Sequence, residues 1–269
     1  MKIIINSKEL KEAIIAVLLK GKWNLGQSAK NHQLNSEVIL EVDSSGNAFL
    51  YNGDEATYVQ YKLNVGDDTN VGKVYLNTDT LVKYLKGNSE LTLTYNDSEG
   101  VLEITTPTSI ITLNTLENHS HSDSIKQIKD RASEGRWADY INEGWVDKLE
   151  GRDEISISNS TKLKTILRLT GDELKDAFKS CEIVGSGIFK LDYIGENRLC
   201  ISSSFGNQNM HHNIGVDKAN GPNASVEFTA PLHLLLNETT VIAFNDDSPV
   251  FILNDKVKML RAPRFGEDV

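Results

Sequence analysis

An internal duplication constrains this chain more than any other feature. Glu9-Leu10-Lys11-Glu12-Ala13-Ile14 recurs as Glu173-Leu174-Lys175-Asp176-Ala177-Phe178. Val74-Tyr75-Leu76, followed by Leu81 and Leu85, recurs as Val226-Glu227-Phe228, followed by Leu232 and Leu236. Both matches fall in the same order, each inside the same succession of predicted elements. The 269 residues therefore read as one domain used twice, which agrees with a prior of roughly 150 residues per domain.

In the first half, a β-branched strand over 1–6 leads into a helix capped by Ser7 and running to about Leu19. Leu10, Ala13, Ile14, Val17 and Leu18 form its buried stripe. Gly21 ends it, and residues 22–36 read as loop. Strands follow over 37–42, 48–51, 57–63 and 74–76. A second helix, 79–86, is capped by Asn77 or Thr78, and a meander covers 91–95, 101–105 and 109–113. The second half runs through a strand at 163–169, a helix over 171–183, strands at 188–193, 198–203 and 226–228, and a short helix near Ala230-Pro231. It closes with strands at Val241–Ala243, Val250–Leu253 and Val257–Leu260 around an acidic turn, Asp246-Asp247. Pro263 cannot donate to a ladder, so pairing is expected to stop there and leave an apolar tail at the surface. Between the halves, a connector carries His119, His121, Ile125, Ile128, Trp137, Tyr140 and Trp145. At some 30 residues it is long enough to be functional or partly disordered, with a short helix from Asp123 or Ser124 to Arg131. The expected layout is an α+β chain with domains at 1–116 and 151–269 joined by 117–150.

Composition narrows the function by exclusion. Net charge is −10, which argues against a surface that adheres to nucleic acid everywhere but permits a local basic face. No apolar run approaches the roughly 20 residues of a membrane span, Met1-Lys2-Ile3 begins like a strand, and two cysteines are too few for a disulfide framework. A reducing cytoplasm is the expected location. His119, His121, His211 and His212 lack cysteine or carboxylate partners at ligand spacing and read as loop residues. Asp67-Asp68 and Asp246-Asp247 read as acidic turns, and Ser202-Ser203-Ser204 has no nucleophile-elbow context. No phosphate loop, dinucleotide fingerprint, metal set or catalytic constellation is legible. No cofactor is expected, and the chain reads as a binding protein rather than an enzyme.

The terminal hairpin followed by Arg261-Ala262-Pro263 resembles the C-terminal end of DNA sliding clamps of the proliferating cell nuclear antigen type. The duplicated element order resembles the sliding-clamp fold over nearly the whole length. Leu76–Lys86 and the meander after it are also similar to a domain of the bacterial beta clamp. Two departures stand out. The loop 22–36 and the connector are longer than the family's norm, and the fourth helix, 231–237, offers His233 and Asn237 where lysines are expected.

The resemblance implies a fold of two similar domains, each with two helices on curved antiparallel sheets, and a processivity factor with no enzymatic activity. Six such domains enclose duplex DNA in that family, so two per chain imply a head-to-tail homotrimer. It also implies sequence-independent binding of double-stranded DNA, a replicative DNA polymerase and a clamp loader as partners, and no membrane. Location would be the cytoplasm, or a host cytoplasm if the protein is viral. The DNA-facing candidates are Lys8, Lys11, Lys83, Lys86, Lys175 and Lys179, which as bare helix lysines are otherwise solvated faces with i,i+3 or i,i+4 pairs. The partner-peptide pocket would be built from Pro249, Leu260, Arg261, Ala262 and Pro263, with Ile125 or Ile128 as a wall. Phe265 either joins the pocket or closes the core. Subunit edges would lie at Ser109–Leu113, with Ile110, Ile111 and Leu113, and near Met210–Val216, with Met210 and Ile214. The alternatives are a clamp relative serving as a transcription or repair platform, and a β-rich structural or viral assembly protein.

Overall fold

The computed structural model describes residues 1–18, 36–85, 87, 89–134, 152–229 and 239–264. Lys86, Phe265, the expected helix at 231–237, residues 22–35 and the connector beyond 134 lie outside them. The described residues form two compact units: 1–18, 36–55 and 59–125 in the first, 56–58, 126–134, 152–229 and 239–264 in the second.

The first unit begins with β1 (Lys2–Asn6) and α1 (Ser7–Val17), then β2 (Glu37–Val42), β3 (Ala48–Gly53), β4 (Thr57–Leu63) and β5 (Gly72–Asn77). It continues through α2 (Thr78–Tyr84), β6 (Glu90–Asn96), β7 (Val101–Thr105) and β8 (Ile110–Asn114), and α3 (Ser122–Glu134) follows. Its strands order as β1-β6-β7-β8 and β5-β2-β3-β4. The second unit contains a two-stranded ribbon, β9 (Ile155–Ser156) with β10 (Lys162–Leu163), then β11 (Thr165–Thr170), α4 (Gly171–Glu182), β12 (Ile188–Tyr193) and β13 (Arg198–Phe205). After these come β14 (Gln208–Gly215), β15 (Lys218–Asn220), β16 (Ala224–Thr229), β17 (Thr239–Phe244), β18 (Val250–Leu253) and β19 (Val257–Arg261). Its strands order as β11-β17-β18-β19, with β15 on the outer side of β11, and as β16-β12-β13-β14. Strand for strand, β1, β6, β7 and β8 correspond to β11, β17, β18 and β19, and β5, β2, β3 and β4 to β16, β12, β13 and β14. These strands pair antiparallel, and the chain is α+β.

The helices keep the register that the sequence match demands. Leu10, Ala13, Ile14 and Val17 are buried in α1, and their counterparts Leu174, Ala177, Phe178 and Cys181 are buried in α4. α1 packs on β1 and β3, and α4 on β13 and β14. Each Leu, Ile or Val so buried is worth about 1.5–3 kcal/mol by area transfer. In the second unit an aromatic cluster thickens this core. Phe178 meets Phe189 edge-on at 5.3 Å and Phe228 at 6.0 Å, while Phe189 and Phe228 stack at 6.2 Å.

Some local expectations need correction. Asn6, not Ser7, caps α1: it sits in extended backbone and its side chain accepts from Lys8 N–H at 2.9 Å. Ser7 is instead buried, with its Oγ accepting from Ser89 N–H at 3.0 Å. The same device recurs at α2, where Asn77 accepts from Asp79 N–H at 2.9 Å. Asparagine at the last strand residue lets one side chain end the ladder and start the helix. The chain also stays pinned past Arg261: Ala262 N–H donates to Ala56 O and Arg264 N–H to Glu227 O, both at 2.7 Å. Pro263 lies between these two donors, so its missing N–H does not free the tail. Gly221, at φ +96, turns the chain from β15 toward β16 where an added Cβ would stand 1.9 Å from Lys164 O.

Phe178→Ala should lower stability by about 3–5 kcal/mol in urea unfolding followed by circular dichroism. A change within about 0.5 kcal/mol, the range of surface substitutions, would place the ring outside the core.

Candidate functional site

The helix surfaces form one candidate site. Opposite its buried stripe, α1 presents Lys8, Lys11 and Glu12, all exposed; α2 presents Lys83, also exposed, and packs beside α1. On α4, Lys179 is exposed and Lys175 half-buried. Lys8 lies 3.9 Å from Glu12 and Lys179 3.8 Å from Asp176. Exposed pairs of this kind contribute only about 0–1 kcal/mol, so either lysine can turn to another anion at little cost. α1 carries two lysines and two glutamates, whereas α4 carries two lysines against four acids. The field of these helices is weak.

The C-terminal strands form a second candidate site. β18 and β19 pair from Val250↔Arg261 to Leu253↔Lys258, which leaves Pro249 and Ala262 flanking the open end of the hairpin. Pro249, Leu260, Ala262 and Pro263 are all half-buried there. The preceding turn is rigid: Ser248 Oγ donates to Asn245 O at 3.0 Å, and Asp246 Oδ1 accepts from Ser225 N–H at 2.7 Å. The paired acids are turn residues, as their composition suggests.

Arg261 is tied down rather than offered at a rim. Its guanidinium donates to Thr57 Oγ1 through Nη1 and to Thr229 Oγ1 at 2.5 Å through Nη2. Ile128 of α3 is half-buried, whereas Ile125 is 2 % exposed and belongs to the core of the first unit, which removes it as a wall.

Lys258, which sequence reasoning passed over, is 3 % exposed on β19. Burial pushes its ammonium down to about 7, and the charge of Lys129 on α3 adds to the effect, which places that part of α3 beside β19.

The edges of the sheets are the third candidate. Among the described residues, no strand pairs with the outer side of β8 or of β14. Ile110 is 66 % exposed, and Ile111, Leu113 and Met210 are half-buried. Ile214 is buried and faces the core, so it is not an edge contact. His211 and His212 lie in β14, not in a loop.

A buried polar cluster in the first unit was not foreseen. His119 is 2 % exposed, donates from Nε2 to Asn52 Oδ1 at 2.9 Å, and accepts at Nδ1 from His121 N–H at 3.1 Å. Glu37 accepts from Ser120 N–H at 2.8 Å and from Ser120 Oγ at 2.9 Å. A signal was present in β2, where Val38, Ile39 and Leu40 are consecutive and all buried, which means both faces are covered. The equivalent β12 alternates Phe189, Lys190, Leu191, Asp192 and is buried on one face only. Among the described residues no His, Cys, Asp and Glu group could hold a metal ion, and no helix is long and apolar enough to cross a membrane.

The Lys258 ammonium supplies a pH test. Between about 7 and its ordinary 10.5 the unfolded chain holds a proton that the folded chain has released, so this group's contribution to stability rises with pH across that window. The stability of Lys258→Met relative to wild type should therefore fall from pH 7 to pH 9.5 in urea unfolding. A constant difference would mean the folded chain keeps the proton.

No protein-family model matches the sequence, and no curated protein matches it significantly. Solved structures do. A putative DNA polymerase III beta subunit from Eubacterium rectale superposes with a TM-score of 0.71 at 13% identity, covering 99% of this chain and 66% of that one. This chain thus spans about two thirds of that protein. Archaeal clamps match end to end: A. fulgidus PCNA, bound to the C-terminal region of FEN-1, has a TM-score of 0.66 at 13% identity and 99% coverage of both chains. The Helicobacter pylori beta clamp, bound to a DNA ligase peptide, gives 0.62 at 14% identity, covering 100% of this chain and 68% of that one. The fold is that of the sliding clamps.

Proposed function

We propose that this chain is the subunit of a sliding clamp, a non-enzymatic ring that encircles duplex DNA and tethers a DNA polymerase and other replication proteins to it. The observation that carries the reading is the way sheet edges are disposed. The outer side of β19 is taken by residues 56–58 through Ala262 N–H and the Arg261 guanidinium. Its counterpart in the first unit is β8, which ends its sheet as β14 ends another. Among the described residues, no strand pairs with the outer side of either. Pairing β14 of one copy with β8 of the next would cover both edges. That contact is heterologous, and it makes a closed ring if the rotation closes. Three chains of two domains give the six domains that clamps use.

A closed ring stays on DNA because it must open to leave, so its phosphate contacts need be neither strong nor sequence-specific. Lys11, Lys83 and Lys175, with Lys8 and Lys179 drawn from their weak ion pairs, are the residues assigned to that contact. Lysines suit it, because a flexible point charge slides where a bidentate arginine would hold. The partner site is assigned to Pro249, Leu260, Ala262 and Pro263, with Ile128. It is half-buried and apolar, and sits at the one end of β18–β19 that no turn closes. Arg261 serves here as a strut that fixes the site's floor, not as a contact for a partner's acids. Two of the structurally similar clamps hold a peptide or region of another replication protein, and this chain is assigned the same use of a clamp surface. A clamp loader would open the ring.

Electron micrographs at high protein concentration should show rings with a hole of duplex width, and Ile111→Lys should leave only monomers by light scattering. Wild-type protein that stays monomeric at every concentration would sink the proposal. Rings closed around nicked circular DNA should co-elute with it and be lost once it is linearised. Replacing Lys11, Lys83 and Lys175 together with Ala should flatten the salt dependence of retention, whatever the base sequence.

A further inference from the structure

We propose that His119 is a titratable latch that holds the root of the connector, residues 117–122, against the first unit's β2 and β3 while its ring is neutral. The inference goes beyond the clamp reading and does not depend on it. Nδ1 accepts from His121 N–H at 3.1 Å and so carries no proton, while Nε2 carries one and donates it to Asn52 Oδ1 at 2.9 Å. Neighbouring groups in the turn are also engaged. His119 N–H donates to Ser122 Oγ at 3.3 Å, Ser122 Oγ donates to Asn118, and both Ser120 donors go to Glu37. A proton added at Nδ1 would face the His121 N–H head-on, so protonation costs the ring that hydrogen bond. Taking that proton therefore weakens the turn's hold on the ring.

The surroundings decide which way the equilibrium leans. Burial of the ring disfavours the cation most strongly. Glu37 on β2 favours it, whereas His121 in the same turn and Lys73 on β5 oppose it; β3 contributes only the neutral Asn52. The net effect holds His119 below its ordinary 6.5. In the released turn the imidazole regains that ordinary value. Release is therefore promoted as pH falls below about 6.5 and stops gaining once pH passes the latched value, with one proton taken up per opening. The second unit has Ser203 where the first has Asn52, bonded to Ser186 Oγ at 2.7 Å, and so lacks a titratable partner there.

The test uses the full chain. Nitrogen-15 spectra of His119 should show the Nε2–H tautomer at pH 7.5 and a titration midpoint below 6.5. Amide exchange at 117–125, corrected for intrinsic chemistry, should rise by up to about tenfold per pH unit below about 6.5, while β6 and β7 stay unchanged. His119→Gln offers a donor and an acceptor but no titration, and should abolish the pH dependence. A midpoint at or above 6.5, the Nδ1–H tautomer, or an unaltered pH response in His119→Gln would overturn the latch.

Discussion

Backbone hydrogen bonding at sheet edges is the constraint on which the rest of this molecule depends. A strand that ends a sheet presents a row of unpaired N–H and C=O groups, and the chain closes nearly all of them from its own length. β1 is covered by residues 66–70, with Gly66 N–H donating to Ile4 O and Asn70 N–H to Lys2 O. β11 is covered in the same place by β15. Leu116 N–H donates to Tyr75 O on β5, and its counterpart Arg264 N–H donates to Glu227 O on β16. Among the described strands longer than three residues, β8 and β14 alone keep an open outer side.

The same repeat serves two different surroundings. In the second unit, β12 turns Lys190 and Asp192 to solvent, where they form an ion pair at 3.7 Å. In the first, the corresponding strand β2 is buried on both faces, and Glu37, at the position of Ile188, is buried and accepts from Ser120. Burying a carboxylate is costly unless its oxygens are satisfied, so the segment carrying Ser120 and His119 is held there by the charge it covers. The cost of one buried group and the position of one loop are thus a single fact.

Charge tells a similar story at the C-terminal strands. Lys258 is buried at the position where β8 has exposed Ile110, and its amine is pushed toward neutrality by the α3 segment around Lys129. Arg261, three strand positions on, donates to two threonine hydroxyls and so ties β19 to Thr57 and Thr229. Neither cation is available as a surface charge.

Local periodicity alone determined much of this structure. The stripes of α1 and α4, the alternation of β12 and β7, and the shared register of Lys11 and Lys175 follow from which residues recur at 3.6 or 2, and this is enough to expose the duplication. Near misses were local too: Asn6 displaced Ser7 as the cap because a side chain at the strand's last residue reaches the second helical N–H. The tertiary structure alone decided what covers a second face and what meets an edge. Nothing in His119, Lys258 or Arg261 distinguishes them in sequence from exposed loop or strand residues. Their burial depends on α3 and on residues 37, 52, 57 and 229, far away in the chain. Periodicity reports one buried face of one element, whereas desolvation and edge pairing are properties of two elements at once.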